Sequence, residues 1–200
     1  MPEQVQTIVR IVKAETIDLA TLAAAFDAAS PEQRVAAIRG FNPKIQRRLF
    51  DAAEGRRVTI DQIVPPDTAP LREVIHEGQN TLPAFRAFQK RFCRPSAEHT
   101  PDNRGVLWGY NHQAMAGFTG PGYFVTYDDQ DTGEVVVDYR ELPPERPETW
   151  PEIIDNKAKL GRFVYHGMVD RLRRVSEHVT IGRAYKGKPM SAWFILVRQD

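Results

Sequence analysis

A change of hydrophobic period constrains this chain more than any other feature. Over the first 64 residues the apolar side chains recur at helical spacing, as in Leu19, Leu22, Phe26 and Ala29. From Gly105 the period becomes two. Val106, Trp108, Tyr110 and His112 would share one face of a strand, and Leu107, Gly109 and Asn111 the other. Tyr123, Val125 and Tyr127 alternate again. Asp-Asp-Gln-Asp-Thr-Gly at 128–133 then supplies residues that tolerate turn dihedrals. Val135, Val137 and Tyr139 return on one face, with Glu134, Val136, Asp138 and Arg140 on the other, which predicts a hairpin.

Start and stop signals divide the helical part. Ser30-Pro31 opens a helix with Gln33 in the capping-box position, and Gly40 stops it. Asn42-Pro43 opens the next, through Ile45 and Leu49, to stop at Gly55. Pro65-Pro66-Asp67 with Pro70 is the candidate linker. A further helix is expected after it: Thr81 as cap, Pro83 in the first turn, then Phe85, Phe88 and Phe92, with Arg86, Lys90 and Arg94 as a separate basic stripe. Residues 157–174 are expected to form another, with Val164, Met168, Leu172 and Val175 on one side. Two last strands flank a Lys-Gly-Lys-Pro turn, at about 177–185 and 191–198. The second is apolar on both faces and so belongs centrally in its sheet. The expected fold is α+β. A helical region over 1–64 precedes a domain over 71–200, built on an antiparallel, curved sheet of about five or more strands packed with helices.

Composition narrows the function classes. Of 200 residues, 42% are hydrophobic, which excludes intrinsic disorder. The net charge of +1 excludes a polycation that coats nucleic acid. That value hides a cancellation. Residues 126–155 carry 10 acidic and 2 basic side chains, whereas 156–200 carry 10 basic and 3 acidic. The blocks either pair with each other or leave Arg171, Arg174 and Arg183 to hold an anionic ligand group or acidic partner. Cys93 is the sole cysteine, and no Cys/His spacing suggests a metal site. No stretch has the length of a membrane span or the layout of a secretory signal, so a cytoplasmic protein without an integral membrane segment is expected.

The residues that could carry chemistry gather at one strand end. His112 follows Trp108 and Tyr110 and enters a Gly-rich loop that leads to Tyr123. These four are expected to line an aromatic pocket, with Arg171, Arg174 and Arg183 near an anionic ligand group. The leading functional expectation is therefore a small-molecule-binding domain, its cofactor unspecified. One alternative is an enzyme using His112 as general acid or base. Another is an interaction protein that docks a partner through residues 1–64. Cys93, flanked by Arg91 and Arg94 across Phe92, would be reactive only if those charges lowered its pKa.

Overall fold

The computed structural model describes residues 2–99, 105–113, 120–158, 161 and 165–199. The alternating half of the chain closes on itself. Eight antiparallel strands follow one another around a barrel: β1 (Val74–Asn80), β2 (Ala87–Cys93), β3 (Val106–His112), β4 (Tyr123–Asp129), β5 (Glu134–Asp138), β6 (Val169–Arg174), β7 (Val179–Lys186) and β8 (Lys188–Arg198). β1 and β8 complete the ring, with His76 opposite Arg198 and Asn80 opposite Phe194. The expected antiparallel sheet is present, and closure leaves it without an edge.

Both helices expected in this half are corrected. Residues 87–93 form β2, with Phe88, Lys90 and Phe92 facing inward, and residues 169–174 form β6, with Asp170 and Leu172 facing inward. Parts of the second segment, residues 159–160 and 162–164, lie outside the described residues. The 128–133 hairpin stands as expected, with Val135 and Val137 inside.

The helices are α1 (Glu3–Lys13), α2 (Leu19–Asp27), α3 (Pro31–Arg39), α4 (Pro43–Ala52) and α5 (Ile60–Ile63). Ser30 and Gln33 form the anticipated capping box on α3, and Asn42 caps α4 through the Ile45 amide. The apolar faces of α1–α4 bury Ile8, Leu22, Phe26, Ile38 and Leu49 against the outer face of β7 and β8, where Val179, Ile181, Ile195 and Val197 point outward. This explains why β8 is apolar on both faces: Phe194 and Leu196 fill the barrel while Ile195 and Val197 meet the helices. Arg39 ties α3 to β1 through Glu77 at 2.7 Å, and Arg173 stacks on Phe50 of α4 at 4.0 Å. No helix among the described residues is long and apolar enough to cross a membrane.

The short α5 blocks one end of the barrel. Ile60, Ile63 and Val64 join the interior cluster with Phe92, Leu107 and Leu196. Polar contacts hold it there: His76 Nε2 bonds the Ile63 carbonyl at 2.9 Å, the Arg198 guanidinium donates to the Gln62 carbonyl, and Gln62 Nε2 donates to the Ser176 carbonyl at 2.6 Å.

Candidate functional site

An eight-stranded barrel is just wide enough for its side chains or for one small ligand. Here the plugged half is filled and the other half is not. A cavity of about 340 Å³ lies between the centre of the barrel and the end opposite α5. Phe88, Tyr165, Met168, Ala184 and Phe194 give it a mostly apolar wall, and Leu82 and Met190, 50% and 37% exposed, stand at its rim.

The wall is shaped by three glycines that face inward, each paired across the ladder with a phenylalanine. Gly78 opposes Phe88, Gly109 opposes Phe124 and Gly182 opposes Phe194. A Cβ on any of them would lie within 2.5 Å of the partner ring. The missing side chains let the rings lie flat over the neighbouring strand.

These three rings enclose a buried lysine. Lys90 Nζ sits 5.0 Å from the centroids of Phe124 and Phe194, 5.9 Å from that of Phe88, and 4.9 Å from that of Tyr139. It donates to Asn111 Oδ1 at 3.1 Å, to the Tyr139 hydroxyl, and to Asp170 Oδ2 at 3.0 Å. The Lys90 and Asp170 side chains are only 2% and 3% exposed. Asn111 Nδ2 donates to the Gly122 carbonyl at 3.3 Å and to Tyr139 at 2.9 Å, which fixes the orientation of its amide. Tyr139 donates to Asp170 Oδ2 at 3.2 Å and stacks on Tyr165. Burial pushes the Lys90 ammonium down and the Asp170 carboxyl up, and each pulls the other back. Burial, with Asp170 nearby, drives the Tyr139 phenol well above its usual range. Lys90, Asn111, Tyr139 and Asp170 all border the cavity.

The residues anticipated from sequence lie elsewhere. Trp108, Tyr110 and Tyr123 do come together, on the outer face of β3 and β4. There they are buried beneath Trp150 of the Pro-rich loop, whose ring stands 4.9 Å from Tyr110 and 6.3 Å from Tyr123. The side chain that fills the space above them is Trp150, itself held by its indole bond to Glu73 at 2.6 Å. His112 is largely exposed at the end of β3, edge-on to Tyr110, and partial desolvation of its ring, with the nearby Arg91, lowers its pKa. Most of the Gly-rich loop after it, residues 114–119, lies outside the described residues. Arg171 pairs on the outer face with Asp129 at 2.8 Å and Glu134 at 3.1 Å, and Arg174 with Glu177 at 2.8 Å. Arg183 donates to the Met190 carbonyl and lies 5.1 Å over Trp193. The acidic and basic blocks thus meet each other at Arg171 and Arg173, both bound to Glu134.

The sequence pattern does not mark Lys90, Asn111, Tyr139 and Asp170 as site residues. One signal was available, the alternation of Phe88, Lys90 and Phe92, which places a cation among aromatics only if the segment is a strand. Among the described residues no group of three His, Cys, Asp or Glu side chains converges as metal ligands would. Comparison of the chain with family models, with curated proteins and with solved structures finds no match in any of the three.

Proposed function

We propose that this protein binds one small, mostly apolar molecule inside its barrel. The observation that carries the reading is the half-filled interior: apolar walls around about 340 Å³, a rim at one end and a plug at the other. That volume accommodates roughly ten non-hydrogen atoms at about 30 Å³ each, the share of a liquid water molecule. It falls at the small end of known ligand pockets, and a few convergent polar groups at its floor match their usual design.

The aromatic cluster of Trp108, Tyr110 and Tyr123 supports the barrel from outside in this reading, and His112 stands outside the cavity. The helices also act as scaffold. Their large apolar side chains are turned to β7 and β8, and the exposed ones among the described residues are Leu82, Phe85, Leu142 and Met190, all in the β-rich half.

Calorimetric titration with apolar molecules of that size, hydrocarbons and oxygenated compounds alike, tests the reading. Saturable binding of one molecule per chain is expected. Ala184→Phe, which fills the cavity from its wall, is expected to weaken binding at least tenfold while circular dichroism stays unchanged. Equal binding by both proteins, or binding of nothing in the series, would refute the proposal.

A further inference from the structure

The buried polar cluster has one acceptor without a partner, and its chemistry bears on the head group of the ligand. Three acceptors surround Lys90 Nζ: Asn111 Oδ1, the Tyr139 oxygen and Asp170 Oδ2. They match the three N–H bonds of an ammonium. Whether the proton of the Lys90–Asp170 contact sits on Nζ or on Oδ2, Asp170 Oδ1 remains an acceptor. The Asn111 amide is engaged at both ends, and the Tyr139 hydroxyl both accepts and donates. Asp170 Oδ1 is the exception. It is buried and has no hydrogen-bond partner among the described residues, although Asp170 borders the cavity.

A buried carboxylate oxygen without a donor is costly, and a bond from a donor to a charged group is among the stronger hydrogen bonds. An anionic head group fits badly. The N–H bonds of Lys90 are all engaged, and Asp170 would repel a second negative charge. Resting on the pocket reading above, we infer that the ligand is a neutral molecule, apolar over most of its length, that carries a hydroxyl or amide N–H donor. That donor bonds Asp170 Oδ1 at the floor of the cavity, and the apolar remainder lies along Phe88, Met168 and Phe194 toward the rim.

The decisive experiment uses the unaltered protein and three probes with equal or near-equal heavy-atom counts: nonan-1-ol, methyl octyl ether and nonanoate. Calorimetry is expected to show the alcohol bound about ten- to a hundredfold more tightly than the ether, as one hydrogen bond to a charged acceptor would give. It is expected to exceed nonanoate by at least as much. In the paired variant Lys90→Met/Asp170→Leu the alcohol should lose its advantage over the ether. Equal binding of alcohol and ether by the unaltered protein overturns the donor inference and leaves the pocket reading standing. Preference for nonanoate overturns it as well and assigns an anionic head group instead. Failure of all three to bind removes the pocket reading and the inference with it. The comparison of probes on the unaltered protein decides the matter even if the paired variant does not fold.

Discussion

Removing Lys90 alone should damage this protein far more than removing Lys90 and Asp170 together. In Lys90→Met the Asp170 carboxylate keeps only the Tyr139 hydroxyl as a donor, in a site where its side chain is 3% exposed. Breaking a buried ion pair from one side costs about 3–5 kcal/mol, because the remaining charge has left water without compensation. For a chain of 200 residues, at about 2–4 °C per kcal/mol, the thermal midpoint should fall by about 6–20 °C. Lys90→Met/Asp170→Leu removes both charges, and the adjoining cavity takes the extra volume of the two methyl groups that replace the carboxylate oxygens. Asn111 Oδ1 loses the Lys90 donor but keeps the Tyr139 hydroxyl at 3.3 Å, so a residual loss of about 1 kcal/mol or less is expected. Urea unfolding of the four proteins in the cycle yields the coupling directly, provided the slopes agree. The pH dependence adds a second readout. Without Lys90 the Asp170 carboxyl should titrate above the ordinary aspartate value of about 3.9. A carboxyl that holds its proton more tightly in the folded chain stabilises the fold at low pH, and this contribution is lost as pH rises through its folded value. The deficit of Lys90→Met should therefore be complete at neutral pH and shrink on acidification toward about pH 4. A loss below about 1 kcal/mol for Lys90→Met, or a paired variant that loses the sum of the two single effects, would refute the argument.

Two further outcomes are expected. In Gly109→Ala the new methyl carbon would stand 2.2 Å from the Phe124 ring and 2.7 Å from the Arg91 carbonyl oxygen, so strand and ring must separate. A loss of about 1–3 kcal/mol in chemical denaturation should follow, and an unchanged midpoint would contradict the packing account. Cys93 is buried beneath the outer aromatic cluster, where burial, with Glu145 and Glu73 nearby, pushes its thiol up. A charged aromatic disulfide reagent should leave it untouched in the native protein and modify one thiol per chain in denaturant; rapid native modification would show the cluster to be open.

The capped helices, the 128–133 hairpin, the sidedness of β3 and the double apolar character of β8 were legible in the sequence because each follows from a local pattern. β2 and β6 were not, and the reason is one interaction. Lys90 and Asp170 are the buried charged residues of those two strands, and a charge at an inward position breaks the period-two signal. Phe85, Phe88 and Phe92 were left at helical spacing, and so were Met168, Leu172 and Val175. The buried pair therefore concealed both the strands that hold it and the site it forms. Trp108, Tyr110, His112 and Tyr123 are expected from sequence to line a pocket, whereas Trp108, Tyr110 and Tyr123 pack under Trp150 on the outer face. Alternation alone could not say which face was inside, because a covering loop with Trp150 makes the outer face as apolar as the inner one. The inward face contains Gly109 and Asn111, residues that do not register as hydrophobic.

The way α1–α4 pack has a consequence for biosynthesis. Their barrel partners, Val175, Val179, Ile181, Ile195 and Val197, all come from the last stretch of the sequence, and β8 is also the strand that closes the ring. The ribosome thus completes the helical segment more than a hundred residues before the surface that covers it. At about 5–20 residues per second, Leu22, Phe26, Ile38 and Leu49 wait roughly ten seconds for their partners. During that interval the nascent chain presents an apolar helical surface, and a chaperone that occupies it must leave by the time Arg198 pairs with His76.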